Sequence, residues 1–215
     1  MMSKKICIIH PVDPTTDFLD QIYMGLDDSQ INLLRLKNKS DHDSFYESPP
    51  EEKRVLFLGH GTTDSLNGAM NDNYEQKHFI SEKQLTVLSK KDVILFSCRS
   101  NQYIKKFLKE CNLNNGIGFP NMITDIEEIP YYDDPERAEE LTQEDINIFK
   151  QMLVRIMKNS LSDFILLDLS LDEYYNRIKL RINVEIINFY KEKKDISSLG
   201  KMLLDLRKGL LIKRN

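Results

Sequence analysis

The chain has 215 residues, three cysteines, no tryptophan and a formal net charge of −4. That length suits one domain, or one domain with an extension, and can bury roughly 70% of the unfolded surface without staples. Three cysteines cannot build a disulfide framework, so a reducing, cytoplasmic setting is expected; the apolar runs fall well short of the ~20 residues of a membrane-spanning helix, and the run 6–9 stops too early, at His10-Pro11, for a secretory leader.

The charge is divided unevenly. Residues 1–150 carry 17 basic and 26 acidic side chains, a net of −9, and residues 151–215 carry 13 and 8, a net of +5. Ten of the acids fall within 125–145, where Arg137 is the one base. A nucleic-acid binder shows a basic stripe on its main domain. Here the basic residues of the C-terminal part are interleaved with apolar ones at helical spacing. No nucleic-acid or membrane partner, no cofactor and no metal site is expected.

In chain order, 4–10 is a short buried strand ending in a turn at Pro11 and Pro14. Thr15 or Thr16 then caps a helix over 17–26. A second strand covers 31–36, and 38–53, rich in Asn, Ser, Asp and Pro, is a loop. The run 55–58 is continuously apolar, as a parallel strand buried on both faces requires. A long polar loop, 61–80, leads to Ser81 and Gln84, a capping box that opens a short helix to Ser89. The run 93–96 is the second continuous one; a helix over 100–110 and a strand over 116–119 follow. Past the acidic stretch, Thr142 and Asp145 cap a helix to Lys158. Ser170 and Glu173 cap the next. There Ile178, Leu180, Ile182, Val184 and Ile186 alternate like a strand, but the cap and the i, i+4 series Ile178, Ile182, Ile186, Tyr190 favour a helix. A last amphipathic helix covers 199–211. The alternation of strands and helices predicts an α/β fold with a mainly parallel sheet over 1–160 and a helical C-terminal extension over 161–215.

Open parallel sheets place their sites beyond the carboxyl ends of the strands. The run 55–58 leads into Gly59-His60-Gly61-Thr62, and 93–96 leads into Ser97-Cys98-Arg99. A helical crossover between the two strands makes them parallel, so His60 and Cys98 emerge at one edge. Three of the eight glycines, 59, 61 and 68, surround His60, where the backbone needs close approach or unusual torsions. A thiol beside an imidazole meets the needs of nucleophilic catalysis. The thiolate attacks, and the imidazole takes the proton and returns it to the leaving amine. Main-chain N–H groups can supply the oxyanion hole.

These two blocks, hydrophobic strands ending in His60-Gly61 and in Ser97-Cys98, resemble those of the caspase-like cysteine peptidases. That group includes caspases, metacaspases, separase, gingipains and the bacterial caspase-like domains related to separase. The resemblance covers about residues 1–125. It implies a caspase-like three-layer sandwich and a cysteine endopeptidase acting on a protein or peptide substrate. It also implies Cys98 as nucleophile, His60 as general base, and the N–H groups of Gly61 and Cys98 as the oxyanion hole, with no third, acidic member required. A place in a bacterial signalling or defence system, with a regulatory protein partner, is implied too. The chain departs from the family at Phe96-Ser97-Cys98-Arg99-Ser100, where caspases carry Gln-Ala-Cys-Arg-Gly and metacaspases commonly an acid in place of Phe96. In the family the loop after the first strand contributes to the S1 pocket. Here that loop offers Asp13 and Asp17 and no Arg, which implies a basic P1 residue.

Two other classes stay open. One is a catalytically silent caspase-like scaffold. The other is a metal-binding protein, because Gly59-His60-Gly61-Thr62 also resembles the Gly-His-Gly-Ser block of the small tetrapyrrole chelatases; here it follows the third strand, and no His occurs after His78. The segment 125–145 is expected to border the cleft or to be a solvated loop. Leu203, Leu206, Leu210 and Leu211 are expected either to pack or to face a partner.

Overall fold

The continuous apolar runs become the central strands, because a strand in the middle of a parallel sheet buries both faces. The computed structural model describes residues 5–133, 140–191 and 198–215. Its main sheet contains β1 (Ile6–Pro11), β2 (Ile31–Leu36), β3 (Arg54–Leu58), β4 (Asp92–Phe96), β5 (Asn115–Gly118) and β6 (Leu211–Arg214). The order is β2-β1-β3-β4-β5-β6, parallel throughout except for β6, which runs antiparallel to β5.

Side chains alternate across the sheet with period two. Ile8, Leu56, Leu58, Ile94 and Phe96 face a core shared with the helices α3 (Gln143–Leu166), α4 (Leu171–Lys191) and α5 (Ser198–Gly209). Ile9, Val55, Phe57, Val93 and Leu95 face a second core, closed by Phe45 of α1 (Lys39–Glu47) and by Tyr103 and Phe107 of α2 (Ser100–Phe107). The sheet is therefore covered on both sides, an α/β arrangement with a mainly parallel sheet. Helix α3 runs through residue 160, and the first core draws residues from both sides of that point.

Several local expectations are corrected. Residues 39–47 are a helix, not a loop: the Asn38 side chain caps it by accepting from the Asp41 N–H at 3.1 Å, and His42 and Phe45 are buried one turn apart. Asn38→Ala is expected to cost about 1 kcal/mol of stability, read from the urea midpoint. The helices expected over 17–26 and 82–89 shrink to 3-10 turns, Asp17–Ile22 and Leu85–Leu88. In the second, the Ser81 hydroxyl bonds the Gln84 side chain instead of the backbone it was expected to cap. The loop 61–80 holds two short antiparallel pairs, Ser65–Leu66 with Ile80–Ser81 and Met70–Asn71 with Tyr74–Glu75. The final helix ends at Gly209, where an added Cβ would lie 2.4 Å from that of Pro120, and the chain turns into β6.

The cap at Ser170 forms as expected, with Glu173 Oε2 accepting from the Ser170 N–H at 2.8 Å. The strand-like alternation of α4 has a plain cause: the helix is apolar on two faces, burying Ile178 and Ile182 while Leu180 and Val184 stand exposed. Leu203, Leu206 and Leu210 are buried and belong to the first core. Of the acidic segment, residues 134–139 lie outside the described residues.

Candidate active site

Register places the two chemical groups. Leu58 pairs with Phe96 across β3 and β4, and the Gly59 N–H donates to the Phe96 carbonyl at 3.3 Å. His60 and Cys98 thus each stand two residues beyond a paired position, on neighbouring parallel strands, in the crevice that such sheets reserve for ligands. Both line a cleft of about 400 Å³ together with Gly61, Arg99, Met122 and Glu128. Gly61 packs directly on the turn at Ser97 and Cys98. A Cβ there would lie 2.6 Å from Ser97 Oγ, 2.9 Å from Ser97 Cβ and 3.1 Å from the Cys98 carbonyl. The N–H groups of Gly61 and Cys98 donate no hydrogen bond among the described residues.

The loop after β1 holds the imidazole. Thr15 donates both its N–H and its hydroxyl to Asp13 Oδ1, at 2.8 and 2.7 Å. Thr15 Oγ1 lies 2.6 Å from His60 Nε2, and Asp13 Oδ2 lies 3.6 Å from the same nitrogen. A hydroxyl has one proton to give. Since Thr15 gives it to Asp13, it accepts from His60, so Nε2 carries the hydrogen. Neutral His60 then keeps its lone pair on Nδ1, which makes no hydrogen bond among the described residues. Burial works against the imidazolium, but Asp13 and then Glu128 outweigh it and raise the His60 pKa above its usual value. Burial also opposes ionisation of Asp13, yet its bonds with His60 and Thr15 hold its carboxyl below the usual range.

Asp13, expected in an S1 pocket, is 4% exposed and is spent on orienting His60. Asp17 does not line the cleft; it pairs with Arg35 of β2 at 3.4 Å. The turn Asp13-Pro14-Thr15 was a legible signal for a side chain bonding two residues ahead. Nothing in the spacing revealed that this turn reaches residue 60. Asp13→Asn is expected to lower the His60 pKa, because burial then prevails. A histidine NMR titration resolves this among the chain's four imidazoles.

Cys98 is held as a thiol. Its Sγ donates to the Met122 carbonyl at 3.1 Å. Burial, then the Glu128 carboxylate, pushes its pKa up to about 12. Glu128 belongs to the 3-10 turn Ile126–Tyr131, where its Oε2 accepts from the N–H groups of Thr124 and Asp125 at 2.6 and 3.1 Å. Arg99, in a left-handed conformation at φ 57°, ties that turn down through the Tyr131 carbonyl and Asp133, each at 2.9 Å. Sequence reasoning left the acidic segment as either a border of the cleft or a solvated loop, and identified neither Glu128 nor the Arg99 clamp. Among the described residues no group of three or more His, Cys, Asp or Glu is arranged to hold a metal ion. Among the described residues no helix is long and apolar enough to cross a membrane.

No protein-family model and no curated protein matches this chain.

Proposed function

We propose that the chain is a cysteine endopeptidase with a caspase-like three-layer fold. The observation that carries this reading is the pairing of His60 and Cys98 at adjacent strand ends, with the imidazole held through Nε2 and its Nδ1 left for proton transfer. On this reading the Cys98 sulfur bonds to the scissile carbonyl carbon as its proton moves to His60 Nδ1. The oxyanion is met by the Gly61 and Cys98 N–H groups. His60 then protonates the leaving amine as the C–N bond breaks, and water, deprotonated by His60, releases the acid from the thioester. Asp13 and Thr15 favour the imidazolium that forms midway. The basic P1 preference implied by the family resemblance passes from Asp13 and Asp17 to Glu128, the carboxylate that lines the cleft.

The bond to Met122 and the raised thiol pKa mark a resting state, which suits a regulatory partner within a bacterial signalling or defence system. A pKa of about 12 against an ordinary 9.0 leaves about a thousandfold less thiolate at neutral pH. The higher basicity returns roughly 15- to 30-fold in nucleophilicity. Iodoacetamide is therefore expected to label Cys98 roughly 30- to 60-fold more slowly than a free thiol. A peptide electrophile bearing Arg or Lys at P1 is expected to form an adduct with Cys98, detected by mass spectrometry and absent in Cys98→Ala. The same Cys98–Met122 bond supports a second reading, a catalytically silent scaffold. Failure of every peptide electrophile to form the adduct would establish that reading instead.

A further inference from the structure

The crevice does not stop at His60. A second hollow of about 260 Å³ lies between the loop after β1 and the ribbon 65–81, and His60, Thr62 and Asn67 line both spaces. Cys98 and Arg99 line only the first, Ala69 and Met70 only the second, so the imidazole stands as the partition between them.

The second hollow is held by main-chain bonds. The Met70 N–H donates to the Val12 carbonyl at 2.9 Å, the Gly68 N–H to Gln76 at 2.7 Å, and the Gln76 N–H to Ala69 at 2.9 Å. The Ala69 N–H donates to His42 Nε2 at 3.2 Å. Ribbon, the loop after β1 and helix α1 are thus tied together around it. Its charged groups are already partnered. Asp13 is already engaged by Thr15 and His60, and Glu75 and Lys77, both exposed, pair with each other at 3.4 Å. His78 Nδ1 is bonded to Ser65 Oγ at 3.1 Å. What the hollow offers a ligand is the side of Met70, which is 39% exposed, over a floor backed by the fully buried Ala69.

Resting on the peptidase reading, we propose that this hollow is a substrate subsite for a medium or large apolar side chain, with Ala69 setting its depth and Met70 forming its wall. An extended peptide advances about 3.3 Å per residue. A side chain one or two positions from the scissile bond therefore reaches across a single imidazole ring into this space.

The test is an internally quenched peptide library built around Arg or Lys, varied at two positions on each side, with the parent chain, Ala69→Leu and Met70→Lys. The parent is expected to favour Leu, Met or Phe over Ala or Asp by at least about tenfold at one of these positions, the scale of discrimination by an apolar pocket. Ala69→Leu should reduce that ratio to within about threefold. Met70→Lys, a substitution at an exposed position, should shift the preference at that position towards acidic residues, and it carries the test if Ala69→Leu does not fold. Cleavage with no apolar preference, or with a preference unchanged in both variants, overturns the subsite and leaves the peptidase standing. No cleavage and no Cys98 adduct in the parent removes the peptidase reading and the subsite with it.

Discussion

His60→Ala is expected to lower the rate at which a P1-basic peptide is cleaved, or captures Cys98, by 10²- to 10⁴-fold, the range supplied by a positioned acid–base group. The same variant should leave iodoacetamide labelling nearly unchanged. The resting thiol is set by burial and Glu128, with smaller contributions from Met122, Arg99 and Asp133, and its sulfur bonds the Met122 carbonyl. On the peptidase reading, His60 thus acts during attack and not before it. Stopped assays with the peptide and the small reagent, run on parent and variant, separate the two roles. Equal losses with both reagents would mean that a thiolate–imidazolium pair exists at rest.

Acid should destabilise the fold through a different histidine. His10 is fully buried on β1, with its pKa lowered from 6.5 to about 4. Burial is the main cause; Asp20 and Asp17 pull the other way and Arg35 adds to the lowering. The network shows why. Tyr23 donates to Asp20, His10 Nδ1 lies 3.0 Å from the Tyr23 hydroxyl, and His10 Nε2 is buried without a hydrogen-bond partner. A second proton would put a charge on a fully buried ring, and Asp20, 3.0 Å from Nδ1, together with the Thr16 backbone, offsets only part of that cost. Because the folded pKa lies below the unfolded one, the stabilisation is complete above pH 6.5 and is lost as the pH falls through 4. The loss amounts to roughly 3 kcal/mol from this group alone. Urea midpoints at pH 7.5 and pH 4 measure it, and His10→Gln should make the fall between them shallower by about that amount. Identical slopes in parent and variant would assign the acid sensitivity to the carboxylates.

The part of this molecule that could be read in advance was the part carried by local periodicity. The runs at 55–58 and 93–96 are apolar without interruption, which only a doubly covered strand requires, and both proved central. Their carboxyl ends then put His60 and Cys98 at one edge of the sheet, lining one cleft. What escaped depended on distant contacts. The 39–47 helix is polar by composition, and its cap, Asn38, reads equally well as a turn residue. β6 has no alternation of its own and exists because β5 offers an open edge. Asp13 and Asp17 look alike in the sequence, as carboxylates in one loop. The partners that separate them, His60 for one and Arg35 for the other, come from different strands. Glu128 was hidden among ten acids in one segment, and only the turn capped at Asp125 aims it at the thiol.

The edge strand β6 also bears on how firmly the site is held. It pairs with β5, the strand that runs on through Pro120 into Met122, the residue whose carbonyl holds the thiol. Just ahead of it, the Gly209 carbonyl accepts from Asn101 Nδ2 at 2.9 Å, and the Asn215 N–H bonds the Asn114 carbonyl at 2.9 Å. Residues 209–215 thus brace the wall behind Cys98, more than a hundred residues away from it in the chain. Loosening β6 would therefore reach the Cys98 thiol through β5 and Met122, without touching His60 or Cys98 themselves.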